Sequence, residues 1–158
     1  MKDLFQYEEI RALFWKQPFA TLMFYGKIET RKWDTAYRGK VLICTSLETY
    51  KDHHLAHMCT YDQKKAIAGI EYQERRRTSL TFGQQSTMDL RGYAIGIATL
   101  ADVRPMVMQD AAQAYVAFQE QLYAHVYADV KRIHPFPLKG FQGLRRITQE
   151  VKDKIKVL

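Results

Sequence analysis

The chain has 158 residues, 47% hydrophobic and 26% charged, with Lys and Arg outnumbering Asp and Glu by 24 to 17. That length and apolar content suit one folded domain with a sizeable core and exclude global disorder. The net charge of +7 either favours polyanions such as RNA or DNA or is simply that of a basic protein, and two cysteines are too few for a disulfide framework or a zinc cage.

Cys44 and Cys59 read as reduced thiols of a cytoplasmic protein. No apolar run approaches the roughly 18 residues of a membrane span. The opening "MKDLFQYEE" carries early acids and no apolar signal-peptide segment. No linker or internal repeat interrupts the chain.

In chain order, "KQPFATLMFYG" (16–26) has a helix-start Pro18 and a helix-stop Gly26, which predicts a short buried helix of about two turns. "KVLICTS" (40–46) and "GYAIGIATLADV" (92–103) are apolar, β-branched runs that predict buried strands. The glycines of the second run point to bending or close backbone approach. Between them lies a polar tract, 47–91, helical in part at first and then a loop or solvent-edge hairpin over 71–89. A loop of that length is often functional or mobile. From Gln109 to Ile133, residues recur at three- to four-residue steps (Ala112, Tyr115, Phe118 or Gln119, Leu122, Val126, Val130), which predicts a helix stopped by Pro135 and Pro137. A final strand is expected around Leu144–Ile147. Such uneven alternation argues for an α+β domain over a doubly wound sheet.

The stretch "GKIETRKWDTAYRG" (26–39) carries the chemistry. Read as a strand, it puts Lys27, Glu29, Arg31 and Trp33 on one face, so that the acid can orient both cations and the indole can stack on a base. Tyr37 and Arg38 follow at a turn ended by Gly39. The alternative is a salt-bridged solvent face with Trp33 folded into the core.

Together these motifs resemble the ASCH domain, the activating signal cointegrator homology domain of the PUA-like superfamily. The similar elements are Gln17-Pro18-Phe19-Ala20, Gly26-Lys27, Glu29-Thr30-Arg31-Lys32-Trp33 and Tyr37-Arg38-Gly39. Later come the 92–103 strand, Lys139-Gly140 and Gln142-Gly143-Leu144. The resemblance implies one domain over 1–158: a small PUA-like β-barrel with flanking helices, a variable insert at about 47–91, and a cleft beside the barrel. It implies RNA or a nucleoside as partner, with Gln17, Arg31, Trp33, Tyr37, Arg38 and Lys139 as binding residues and Lys27 and Glu29 as catalytic candidates. Some relatives of that kind are similar to ribonucleases, and one branch removes the acetyl group of N4-acetylcytidine. Two departures stand out. Lys27 lies two residues before Glu29 where the family usually has three, and Thr30 is one residue off the hydrolase register, which turns a strand side chain to the other face.

Other features are weaker. His53, His57 and Cys59 could place ligands on one helix face, but solvent-facing histidines fit better, and no metal or cofactor is expected. "ERRR" (74–77) reads as a solvated charge run or a phosphate clamp. Tyr115, Tyr123 and Tyr127 read as core with hydroxyls at the rim. Lys139 either touches phosphate or caps a turn. The functions that follow are an RNA- or nucleobase-binding module, or a hydrolase with Lys27 as base or electrostatic stabiliser, Glu29 orienting it and Arg31 steadying developing charge. A protein-recruiting domain would instead use an apolar patch within 47–91.

Overall fold

The computed structural model describes residue 5 and residues 8–80 and 86–158, with 78–80 by backbone alone. Six strands form its centre: β1 (Ile10–Gln17), β2 (Glu29–Arg31), β3 (Gly39–Thr49), β4 (Tyr93–Pro105), β5 (Tyr123–Pro137) and β6 (Arg145–Arg146). The described helices are α1 (Phe19–Leu22), α2 (Asp52–Met58), α3 (Tyr61–Leu80), α4 (Ala111–Ala114) and α5 (Gln149–Lys152). The strands make one mixed sheet, ordered β2-β5-β4-β3-β1-β6 and curled into a half-barrel flanked by helices. Only β1 and β3 run parallel; the other pairs are antiparallel.

Both faces of the sheet are buried, because successive residues of β1 and β3 feed different apolar clusters. Leu13, Trp15, Val41 and Ile43 pack with α1, Leu55 of α2 and Ile67 of α3. Ile10, Ala12, Leu42 and Cys44 pack on the other side with Ile147 and Ile155. A strand covered on both faces has no polar alternation, which is why "VLIC" is continuous.

The predicted two-turn helix is present as α1 followed by a 3-10 turn, Met23–Tyr25, closed by Gly26 at φ 83°. The predicted strands at 40–46 and 92–103 are the middles of β3 and β4. Gly92 has φ 72° and turns the chain into β4. Gly96 is a close approach: a Cβ there would stand 2.6 Å from Phe24 Cε1 and 3.0 Å from the Lys131 carbonyl. Gly96→Ala is therefore expected to lower stability by about 1–3 kcal/mol, read as a reduced urea midpoint at unchanged slope.

Three expectations are corrected. Residues 109–133 are not a helix. After the single turn of α4 the chain becomes β5, hydrogen-bonded to β4 along its length and to β2 at its start. Three register shifts against β4, and Asp129 at φ 52°, break the period of two and mimic helical spacing. Pro135 and Pro137 do not stop the element; they lie where β5 has β4 on one side and no partner from β2 on the other. Secondly, residues 71–80 are not a loop, because α3 runs to Leu80; residues 81–85 of that expectation lie outside the described residues, and Thr87–Asp89 form a 3-10 turn. The inner seam of α3 is Gln63, Ile67, Ile70 and Glu74, at steps of four, three and four. Two of those four residues are polar, so no apolar stripe betrayed the helix. Thirdly, β1 has no counterpart among the predicted elements. The expected final strand is present but short, as β6.

Candidate functional site

Gly26 reverses the chain after the 3-10 turn and sends Lys27 inward beneath α4. Ile28 N–H donates to the Gln113 carbonyl (3.0 Å), fixing that path. The Lys27 side chain is wholly buried, its ammonium donating to the carbonyls of Ala114 (2.8 Å) and Ile28 (3.0 Å) and lying 4.5 Å from the Phe19 ring centroid. Burial holds the Lys27 pKa below the ordinary lysine value, against the opposing pull of Glu29. Cys59 Sγ donates to the neighbouring Tyr115 carbonyl at 3.1 Å, and burial raises its pKa.

Glu29, on β2, is buried between the two cations. Its Oε1 accepts from Thr30 N–H (2.8 Å) and lies 3.7 Å from Lys27 Nζ, while Oε2 lies 3.8 Å from Arg31 Nη2. The acid thus bridges both cations, as the period-two reading predicts. Arg31 donates to the Phe14 carbonyl (3.1 Å) and lies over the Trp15 ring, 5.7 Å from its centroid. Its side chain keeps 27% exposure, so a ligand from solvent can reach this end of the chain of charges.

Around Glu29 and Arg31 stand three buried polar atoms without a hydrogen-bond partner among the described residues: Trp15 Nε1, His125 Nδ1 and Tyr127 Oη. Pairing of β2 with β5 sets His125 opposite Glu29. The Trp15 and Tyr127 rings meet edge to face at 5.9 Å. His125 Nε2 lies 3.0 Å from the Trp33 carbonyl, an acceptor, so Nε2 carries the proton and Nδ1 is left as a bare acceptor. Burial lowers the His125 pKa and keeps the ring neutral. Burial likewise raises the Tyr127 pKa, so its hydroxyl stays protonated. The site therefore presents two neutral donors, one neutral acceptor, a carboxylate and a guanidinium. Orphaned buried groups of this kind are costly in a folded protein unless a ligand or water meets them.

The remaining expected site residues lie elsewhere. Trp33, like Lys27, falls outside β2, so only Glu29 and Arg31 of the expected four-residue row share the strand; Trp33 is half-buried and packs edge-on against His125 at 4.7 Å. Tyr37 donates to the Lys40 carbonyl (2.6 Å) and stacks under the Arg11 guanidinium (4.2 Å). Arg38 donates to the Thr35 and Tyr37 carbonyls and sits 3.8 Å from Asp102, holding the turn against β4. Gln17 is buried and saturated: its amide donates to Thr21 Oγ1 and the Thr87 carbonyl and accepts from Thr21 N–H. Lys139 is exposed, between Leu138 and Phe141, which pack on the opposite face of the sheet. His53, His54 and His57 are exposed on α2, and no group of three His, Cys, Asp or Glu among the described residues could hold a metal.

The "ERRR" run holds the largest surprise. Glu74 has no exposed surface and binds the Arg132 guanidinium through both oxygens at 2.8 Å. It also accepts from Tyr25 Oη (2.8 Å) and Thr87 Oγ1 (3.0 Å). Tyr127 corrects an expectation, because its hydroxyl is buried rather than at the rim. Trp15 and His125 are not among the residues expected from sequence, although Tyr123, His125 and Tyr127 share a strand face once period two is applied to 123–127.

Fold and site define an α+β half-barrel with a buried lysine–carboxylate–arginine chain beside two unpartnered donors and one unpartnered acceptor. No protein-family model matches the sequence, and no curated protein matches it. No described helix is long and apolar enough to cross a membrane.

Proposed function

We propose that the chain is an ASCH-like, PUA-like domain that binds RNA in the cytoplasm and receives a nucleobase beside Arg31. The observation that carries this reading is the partly exposed Arg31 next to the unpartnered Trp15 Nε1, Tyr127 Oη and His125 Nδ1. A nucleobase edge alternates donors and acceptors and can meet such a set, while Arg31 and the net charge of +7 attract the phosphates. Recognition rests on the polar edge of the base rather than on stacking by Tyr37, whose ring is already occupied by Arg11.

Fluorescence anisotropy with single-stranded RNA at two salt concentrations tests it. Binding should weaken as salt rises, and Arg31→Gln should weaken it about tenfold. Tyr127→Phe gives the sharper signature. Removing an unpartnered hydroxyl should leave the free protein at least as stable in urea, while RNA affinity falls about 3- to 10-fold. Absence of salt-dependent binding at micromolar protein would sink the proposal.

A hydrolase acting on RNA or on N4-acetylcytidine is the second reading, favoured by the depressed pKa of Lys27. Mass spectrometry of both substrates after incubation separates turnover from binding. Turnover that survives Lys27→Met would remove Lys27 from the chemistry.

A further inference from the structure

The two ends of β5 serve different surroundings. Tyr123–His125 pair with β2 beside the site described above, whereas Arg132–Pro135 line a separate pocket of about 290 Å³. We propose that this second pocket binds a small organic anion, an apolar body ending in a carboxylate. Its walls are mostly apolar, from Leu90, Tyr93, Ile95, Ile133, Pro135 and Leu158, whose N–H donates to the Arg132 carbonyl (3.0 Å), and its polar side chains are Thr87, Arg77, Arg132 and His134.

Arg132 makes the pocket a built site. Its guanidinium is clamped at both Nη atoms by Glu74 and lies 4.3 Å from the Phe24 ring centroid, so its plane is fixed before any ligand arrives. Those two bonds leave Nε–H and the outer Nη hydrogens without a partner among the described residues, on a side chain with 19% exposure. Glu74 has no exposed surface of its own, so a ligand meets the donors and not the carboxylate behind them. Arg77 and His134 also line the pocket. The volume is at the lower end for small-molecule sites, and the apolar walls suit a compact hydrocarbon or aromatic body rather than a hydrated phosphodiester.

The test is a backbone amide NMR titration of the full chain with 3-phenylpropionate, 3-phenylpropionamide and inorganic phosphate in parallel. Saturable shifts at Thr87, Tyr93 and His134, with half-saturation at about 1 mM or below, are expected for the carboxylate. The amide should bind about tenfold more weakly, phosphate should not saturate, and Arg132→Lys should cost the carboxylate about tenfold. Equal binding of acid and amide, saturation by phosphate at the same residues, or no saturable shift with 3-phenylpropionate overturns the proposal. These wild-type comparisons decide the matter even if Arg132→Lys fails to fold. RNA affinity at Arg31 is a separate readout, so either proposal can fail without the other.

Discussion

Glu74→Ala is expected to lower the free energy of unfolding by about 3–5 kcal/mol at neutral pH, the effect of removing one partner from a buried ion pair. The geometry explains why the loss is large. Arg132 would keep its charge against the Phe24 ring without its carboxylate, and the hydroxyls of Tyr25 and Thr87 would lose their acceptor. The damage extends further, because ionised Glu74 can only accept. Thr87 must donate to it, so Thr21 must donate to Thr87 (2.8 Å), and Gln17 must donate to Thr21 (2.9 Å). One carboxylate on α3 thereby orients a relay that ends at the last residue of β1.

Two further measurements separate charge from packing. Glu74→Leu combined with Arg132→Met should recover most of the loss, because replacing both members of a buried pair by apolar groups is often close to neutral. Acid should act in a defined direction. Burial would raise the Glu74 pKa, but the hydrogen bonds and charge of Arg132, with Tyr25 and Thr87, bring it below the ordinary carboxylate value. The unfolded chain therefore binds the proton more readily than the folded one. The stability that the carboxylate contributes is present above the unfolded glutamate pKa of about 4.3 and is lost as pH falls through the lower folded value. The gap in unfolding free energy between wild type and Glu74→Gln should thus narrow as urea titrations move from pH 6 toward pH 3. A gap that widens would mean that Glu74 is protonated in the native state.

The relay also shows what a single sequence can and cannot reveal. Pro18 and Gly26 bracket α1 because their backbone preferences are local, and β3 shows itself because both of its faces are apolar. Glu29 and Arg31 could be linked from sequence, since both lie on β2 and neighbours on one strand need no tertiary information, and Lys27 stands only two residues before Glu29. By contrast, β5 hides behind bulges that shift its inward residues from steps of two toward steps of three and four. Helix α3 hides because Gln63 anchors it through the carbonyls of Ala111 and Val116, and Glu74 through Arg132, where an apolar residue would be expected. The orphaned atoms of the site come from β1 and β5, distant in sequence and joined only by the curl of the sheet. A charged run such as "ERRR" gives no sign of which member turns inward.

The second large effect concerns Lys27, and its pH dependence runs opposite to the habit of a paired lysine. Lys27→Ala should cost about 3–5 kcal/mol at neutral pH, because it leaves buried Glu29 with Arg31 as its remaining cation and strips the donor from the Ala114 and Ile28 carbonyls. Lys27→Met keeps the stem that packs beside Phe19 and should cost less. Desolvation holds the native Lys27 pKa below its unfolded value of about 10.4, so between the two values the unfolded chain binds more protons. Wild-type stability must then rise with pH across that window relative to Lys27→Met, with a slope of at most about 1.4 kcal/mol per pH unit. Urea titrations of both proteins from pH 7 to pH 10 read the difference directly. A falling difference would mean that Glu29 and the two carbonyls outweigh desolvation and raise the native pKa. The functional consequence follows from the same burial. An ammonium with no exposed surface positions Glu29, which in turn lies against Arg31, so Lys27→Met should alter RNA affinity only through the exposed guanidinium, by less than Arg31→Gln does.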